Sequence, residues 1–112
     1  MAYDLALAER IAGLLEGKKR LTQKRMFGGV SFLVNGKMCC GVIGNKLVAR
    51  VGQERYDALL RKPYAKPMDF TGRPLRGFIY VLSQGLRNHQ SLKTWVDRGL
   101  RYTESVPAKR KR

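Results

Sequence analysis

Between Met26 and Val51 the chain reads MFGGVSFLVNGKMCCGVIGNKLVARV, and it contains two hairpin signals, Asn35-Gly36 and Gly44-Asn45. Each is flanked by residues that favour strands. A two-residue loop between antiparallel strands needs backbone at positive φ, which Asn and Gly tolerate best. This stretch is therefore a three-stranded meander, and the remaining segments must fold around it.

Closing the first loop pairs Val34 with Lys37, Leu33 with Met38, Phe32 with Cys39 and Ser31 with Cys40. Closing the second pairs Ile43 with Lys46, Val42 with Leu47 and Cys40 with Ala49. Directly paired residues share a face. One face then carries Leu33, Met38, Cys40, Val42, Leu47, Ala49 and Val51, with Ser31 at its margin, and should lie under helices. The other carries Val30, Phe32, Val34, Cys39, Ile43 and Val48 beside Lys37, Lys46 and Arg50. A solvated sheet face should be mainly polar. The second face is too apolar for that, so Val30, Phe32, Val34, Ile43 and Val48 form a candidate homodimer or partner face. Adjacent strand residues point to opposite faces, so one of Cys39 and Cys40 should be buried and the other on the far side. A disulfide between them would be strained.

The flanks supply helices. Asp4 to Gly17 has Leu5, Ala8, Ile11, Ala12 and Leu15 at helical spacing, widened by Leu14, with Asp4 as cap and Gly17 as stop. Lys18 to Arg25 reads as a basic linker. Gly28 and Gly29 suggest a bulge or a close backbone approach. Gly52 to Arg61 is a short helix with Tyr56, Leu59 and Leu60 inward. Lys62 to Arg76 is loop-rich, because Pro63, Pro67 and Pro74 forbid a regular central strand, and Met68-Asp69-Phe70 is a short strand within it. Gly77 to Leu82 is a strand, with Phe78, Tyr80 and Leu82 on one side and Ile79 and Val81 on the other. Asn88 caps a last helix reaching about Tyr102, with Trp95 in the core and Gly99 allowing close contact with the sheet. The order α-β-β-β-α-β-β-α makes one α+β domain over residues 1–102, followed by a basic tail over 103–112 that is expected to be disordered.

Charge narrows the function. There are 23 Lys and Arg against 8 Asp and Glu, a net charge of +15. Such a chain attracts polyanions. The candidate nucleic-acid contacts are Lys18, Lys19, Arg20, Lys24 and Arg25; then Lys62, Lys66, Arg73 and Arg76; then Lys109, Arg110, Lys111 and Arg112. No helix-turn-helix, zinc-finger or RNA-binding aromatic signature accompanies them, so binding to DNA or RNA should be weakly sequence-specific. The acids form no pair suited to proton transfer. The single histidine, His89, is expected on the surface at a helix start. Metal-ligand spacing is absent. These features favour a non-enzymatic protein without a cofactor. No apolar run approaches the ~20 residues of a membrane span, and the N-terminus lacks a signal peptide's basic start. The expected location is cytoplasmic, away from membranes.

Lys24-Arg25-Met26-Phe27-Gly28-Gly29, Phe32-Leu33-Val34-Asn35-Gly36-Lys37-Met38, Leu47-Val48-Ala49-Arg50-Val51, Gly77-Phe78-Ile79-Tyr80-Val81 and Trp95 together resemble the N-terminal domain of the TfoX/Sxy family. The resemblance covers roughly residues 5 to 102. It implies a two-layer fold similar to secretion chaperones, with helices on one face of a five-stranded antiparallel sheet. It also implies a link to the regulation of DNA-uptake competence, and it carries over no catalytic residue. The expected function is a regulatory or adaptor protein acting through protein contacts as a dimer. The alternative is a basic nucleic-acid binder.

Overall fold

The computed structural model of the chain describes residues 3–18, 20–26, 28–69 and 74–105. Its elements are α1 (Leu5–Leu15), β1 (Leu21–Met26), β2 (Gly29–Val34), β3 (Lys37–Ile43), β4 (Lys46–Arg50), α2 (Gln53–Leu60), β5 (Ala65–Asp69), β6 (Pro74–Val81), a 3-10 turn (Ser83–Leu86) and α3 (His89–Ser105). The strands form one antiparallel sheet in the order β1-β2-β3-β4-β6-β5. Both expected hairpins are present. Asn35 and Gly36 lie at φ 56° and 80°, and Gly44 at φ 60°.

The sheet has six strands rather than five. Leu21–Met26, expected to be a linker, pairs along its whole length with β2. It escapes hydrophobic patterning because it is an edge strand, exposed from Thr22 to Arg25, and charged residues on an edge discourage unwanted strand pairing. The other edge is β5, which tolerates Pro67 because an edge needs no ladder donor there. Both glycines of the link to β2 have work to do. Gly28 turns the chain at φ 76°, and a Cβ on Gly29 would collide with the Val42 carbonyl oxygen.

One irregularity reassigns the faces. Val34 pairs with Lys37 and Leu33 with Met38, as expected, but Phe32 then pairs with Cys40 and Val30 with Val42. Cys39 is the extra residue of a β-bulge. Because side chains alternate with a period of two, one inserted residue moves the neighbouring strand's pattern to the opposite face. Val30 and Phe32 therefore join the helix-facing core at 4% and 0% exposure, and Val34 packs half-buried against it. Leu33 and Met38 take the outer face instead. Lys37, paired with Val34, moves to the helix side as well. The candidate partner face is thereby reduced to Ile43 and Val48, and Val48 is itself only 1% exposed. Cys39 and Cys40 are both buried free thiols, not one on each side.

All three helices feed one core layer. Ile11 and Leu15 from α1, Tyr56 and Leu59 from α2, and Leu92, Trp95, Val96 and Leu100 from α3 meet Phe32, Val42, Leu47, Ala49, Ile79 and Val81 of the sheet. Asp4 caps α1 by accepting from the Leu7 N–H at 3.1 Å. Leu5, expected in the α1 stripe, is instead 47% exposed, and Leu7 takes the buried place. Asn88 caps α3, accepting from the Gln90 N–H at 2.7 Å. That helix runs past Tyr102 to Ser105, with Thr103 buried. Gly99 seats α3 on the bulge, because a Cβ there would collide with the Cys39 carbonyl oxygen. The Cys39 thiol donates to the Val96 carbonyl at 3.9 Å.

Candidate nucleic-acid interface

The face of the sheet opposite the helices is organised by strand register. Lys24 pairs with Ser31, Ser31 with Gly41, Gly41 with Val48, Val48 with Tyr80, and Tyr80 with Lys66. This is one cross-strand row with a residue from every strand and a lysine at each end. With strands ~4.8 Å apart, the five steps span ~24 Å, wider than the ~12 Å major groove of duplex DNA. In the middle of the row Ser31, Gly41 and Val48 are small and buried. Met38 reaches over Gly41, its Cε 3.5 Å from where a Cβ would stand.

Cations and aromatic rings flank this row. The Lys46 ammonium lies 5.5 Å from the centre of the Tyr80 ring. The Arg50 guanidinium lies 5.8 Å from Phe78 and 5.1 Å from Tyr102. Lys24 and Lys66 are exposed, and Lys46, Arg50, Phe78 and Tyr80 are half-buried. Burial first, and the charge of Asp69 second, raise the Tyr80 phenol above the ordinary tyrosine value, so the ring stays neutral. Half-exposed rings held beside cations suit stacked bases and phosphates together.

The basic segments named from sequence do not form one patch. Among the described residues of these segments, Lys24 and Lys66 share the outer face. Arg25 pairs with Val30 and so belongs to the helix side of β1. Lys18 and Arg20 line a cleft with Lys37, Thr103 and Glu104 near the end of α3. Lys62 lines another with Trp95 and Arg98. Arg76 is engaged by Asp57 at 3.6 Å and by the Tyr56 ring at 5.0 Å. Lys19, Arg73 and Lys109, Arg110, Lys111 and Arg112 lie outside the described residues. Sequence reasoning placed Lys46 and Arg50 on the correct face but did not join them to Lys24 and Lys66, since only the strand order does that. It missed Arg55, Arg98 and Arg101 altogether.

A comparison with protein families matches the TfoX N-terminal domain over residues 13–102. The chain belongs to the TfoX N-terminal domain family. No curated protein and no solved structure matches it. The part matched to the TfoX domain includes the whole cross-strand row and its flanking rings.

Other chemistry on this TfoX domain is sparse. Burial surrounds the thiol pair, and a hydrogen bond with Cys39, desolvation and the neighbouring sulfur's charge together hold the Cys40 thiol well above the ordinary cysteine value. Both sulfurs are buried, away from any substrate in solution. His89 is exposed at the start of α3. Among the described residues, no three His, Cys, Asp or Glu side chains gather as metal ligands would. No helix among them is long and apolar enough to cross a membrane.

Proposed function

We propose that this TfoX-family domain is a non-enzymatic regulatory protein that holds nucleic acid against the outer face of its sheet. Lys24, Lys46, Arg50 and Lys66 contact phosphates, and Tyr80 and Phe78 offer rings to unstacked bases. The observation that carries this reading is the cross-strand row, which brings cations from both edges of the sheet onto one face together with the half-exposed Tyr80 ring. The regulatory part rests on the family, whose founding members act on competence genes. Cations without a helix or loop aimed at base edges give affinity with little sequence discrimination. With four phosphate contacts, log Kd against log salt should have a slope of about 3 to 4, a loss of about a hundredfold in affinity between 50 and 200 mM salt. Fluorescence anisotropy with labelled single-stranded and duplex oligonucleotides measures it. No binding at low salt ends the reading.

A second reading, an adaptor that associates through protein contact or as a homodimer, is favoured by β1. β1 is an edge strand exposed from Thr22 to Arg25, and an unpaired edge can accept a further strand where its charges are matched. Light scattering of the wild type against Gln23→Pro tests it. A monomer in both removes β1 pairing.

A further inference from the structure

We infer that the cleft between the start of α2 and the C-terminal half of α3 is a binding site for a small ligand carrying an oligophosphate group. The cleft has a volume of about 480 Å³ and is lined by Glu54 and Arg55 from α2 and by Arg98, Arg101 and Tyr102 from α3. Pockets for small molecules run from ~300 to 1,000 Å³. It lies between two helices and shares only Tyr102, whose ring meets Arg50 at 5.1 Å, with the residues flanking the cross-strand row.

Three arginines and one glutamate line the cleft. None of the three takes part in an ion pair among the described residues, where the pairs are Arg76 with Asp57 and Lys93 with Asp97. Arg98 is the most confined. Desolvation first, and the charge of Arg55 second, lower its pKa. A cation that is partly buried and next to a like charge gains from a bound anion on both counts. A ligand with a single negative charge would leave the cleft positive, whereas two or more charges balance it. Guanidinium forks match phosphate oxygens geometrically, which selects phosphate over diffuse anions.

The cleft is also preformed. Residues 98, 101, 102 and 105 follow helical spacing, so they project together from one stripe of α3. The Arg98 guanidinium is held 4.5 Å from the Trp95 ring, at the border with the neighbouring cleft that Trp95 and Lys62 line. Tyr102 packs on Gly52 so closely that a Cβ there would sit 2.5 Å from the ring, which fixes the start of α2 against α3. Cations already positioned lose less freedom on binding. The first turn of α2 has no side-chain cap and adds N–H donors to a cleft that the arginines define.

Isothermal titration with inorganic pyrophosphate at low ionic strength tests the proposal, with sulfate as the compact dianion for comparison. The wild type should bind pyrophosphate at one site, at least about tenfold tighter than sulfate, because a second phosphate engages a second guanidinium. The exposed pair Arg55→Glu and Arg101→Glu should weaken pyrophosphate at least about tenfold, while Lys46→Glu with Lys66→Glu should leave it unchanged. Amide shifts at Gly52, Gln53 and Ser105 should follow the titration. No binding by the wild type overturns the proposal, as does unchanged affinity in the arginine variant. An equal loss in the lysine variant would reduce it to net charge, and equal sulfate affinity would remove the oligophosphate.

Discussion

Replacing Gly99 by alanine should lift α3 off the sheet. The new Cβ would collide with the Cys39 carbonyl oxygen and stand 3.2 Å from its carbon. A relaxed contact between carbon and oxygen needs ~3.3 Å, so the two backbones must separate. The β3 backbone cannot give way, because Cys40 is held between Phe32 and Ala49 in the ladder. α3 must move, which stretches the Cys39–Val96 hydrogen bond and loosens Leu92, Trp95 and Val96 from the core. Overpacking of this kind costs up to ~3 kcal/mol, and alanine's better helix propensity returns ~1 kcal/mol. The net loss of about 2 kcal/mol corresponds to a fall of roughly 8 °C in Tm for a domain of this size. Gly13→Ala is the matched control: nothing lies within 4 Å of its Cβ position, so the same substitution should stabilise by ~0.5–1 kcal/mol. Thermal melts by circular dichroism read both. If Gly99→Ala melts at or above the wild type, α3 is not seated on the bulge, and the reassignment of faces that follows from it fails.

Other outcomes follow from the same packing. Phe32→Lys should unfold the domain rather than dissociate an oligomer, since Phe32 is 0% exposed; a soluble, cooperatively melting variant would contradict its place in the core. A thiol reagent should label neither cysteine in the native protein and both Cys39 and Cys40 in denaturant; rapid native labelling would count against their burial. Because the Cys40 thiol titrates higher in the folded than in the unfolded chain, the unfolded state loses its proton first as pH rises past ~8.5. The folded state then holds more protons, and stability must fall with rising pH, by at most ~1.4 kcal/mol per unit from this group. Denaturant titrations between pH 8 and 10 should show a shallower decline in Cys40→Ala.

The meander, both hairpin loops, the caps at Asp4 and Asn88, and the places of Trp95 and Gly99 were legible because local chemistry determines them. β1 was not, since Thr22, Gln23, Lys24 and Arg25 are polar on both faces of an exposed edge and carry no period. The bulge was not, because its cause is tertiary: Cys39 is the place where Gly99 of α3 comes to rest. One unseen residue was enough to exchange Val30 and Phe32 with Leu33 and Met38. For the site, charge raised the expectation of an anionic partner, but Lys24, Lys46 and Lys66 share one face only through the order β1-β2-β3-β4-β6-β5. Arg55 and Arg98 lie on separate helices and face one cleft only through the seat of Tyr102 on Gly52.

The central claim is that the outer face of the sheet, and not diffuse positive charge, holds nucleic acid. Anisotropy titrations over a range of salt concentrations should compare the wild type with Lys46→Glu/Lys66→Glu, the tail being the same in both. The variant should bind at least about tenfold more weakly, with a salt slope shallower by about 2. Equal affinity and equal slope in the two proteins would contradict the account.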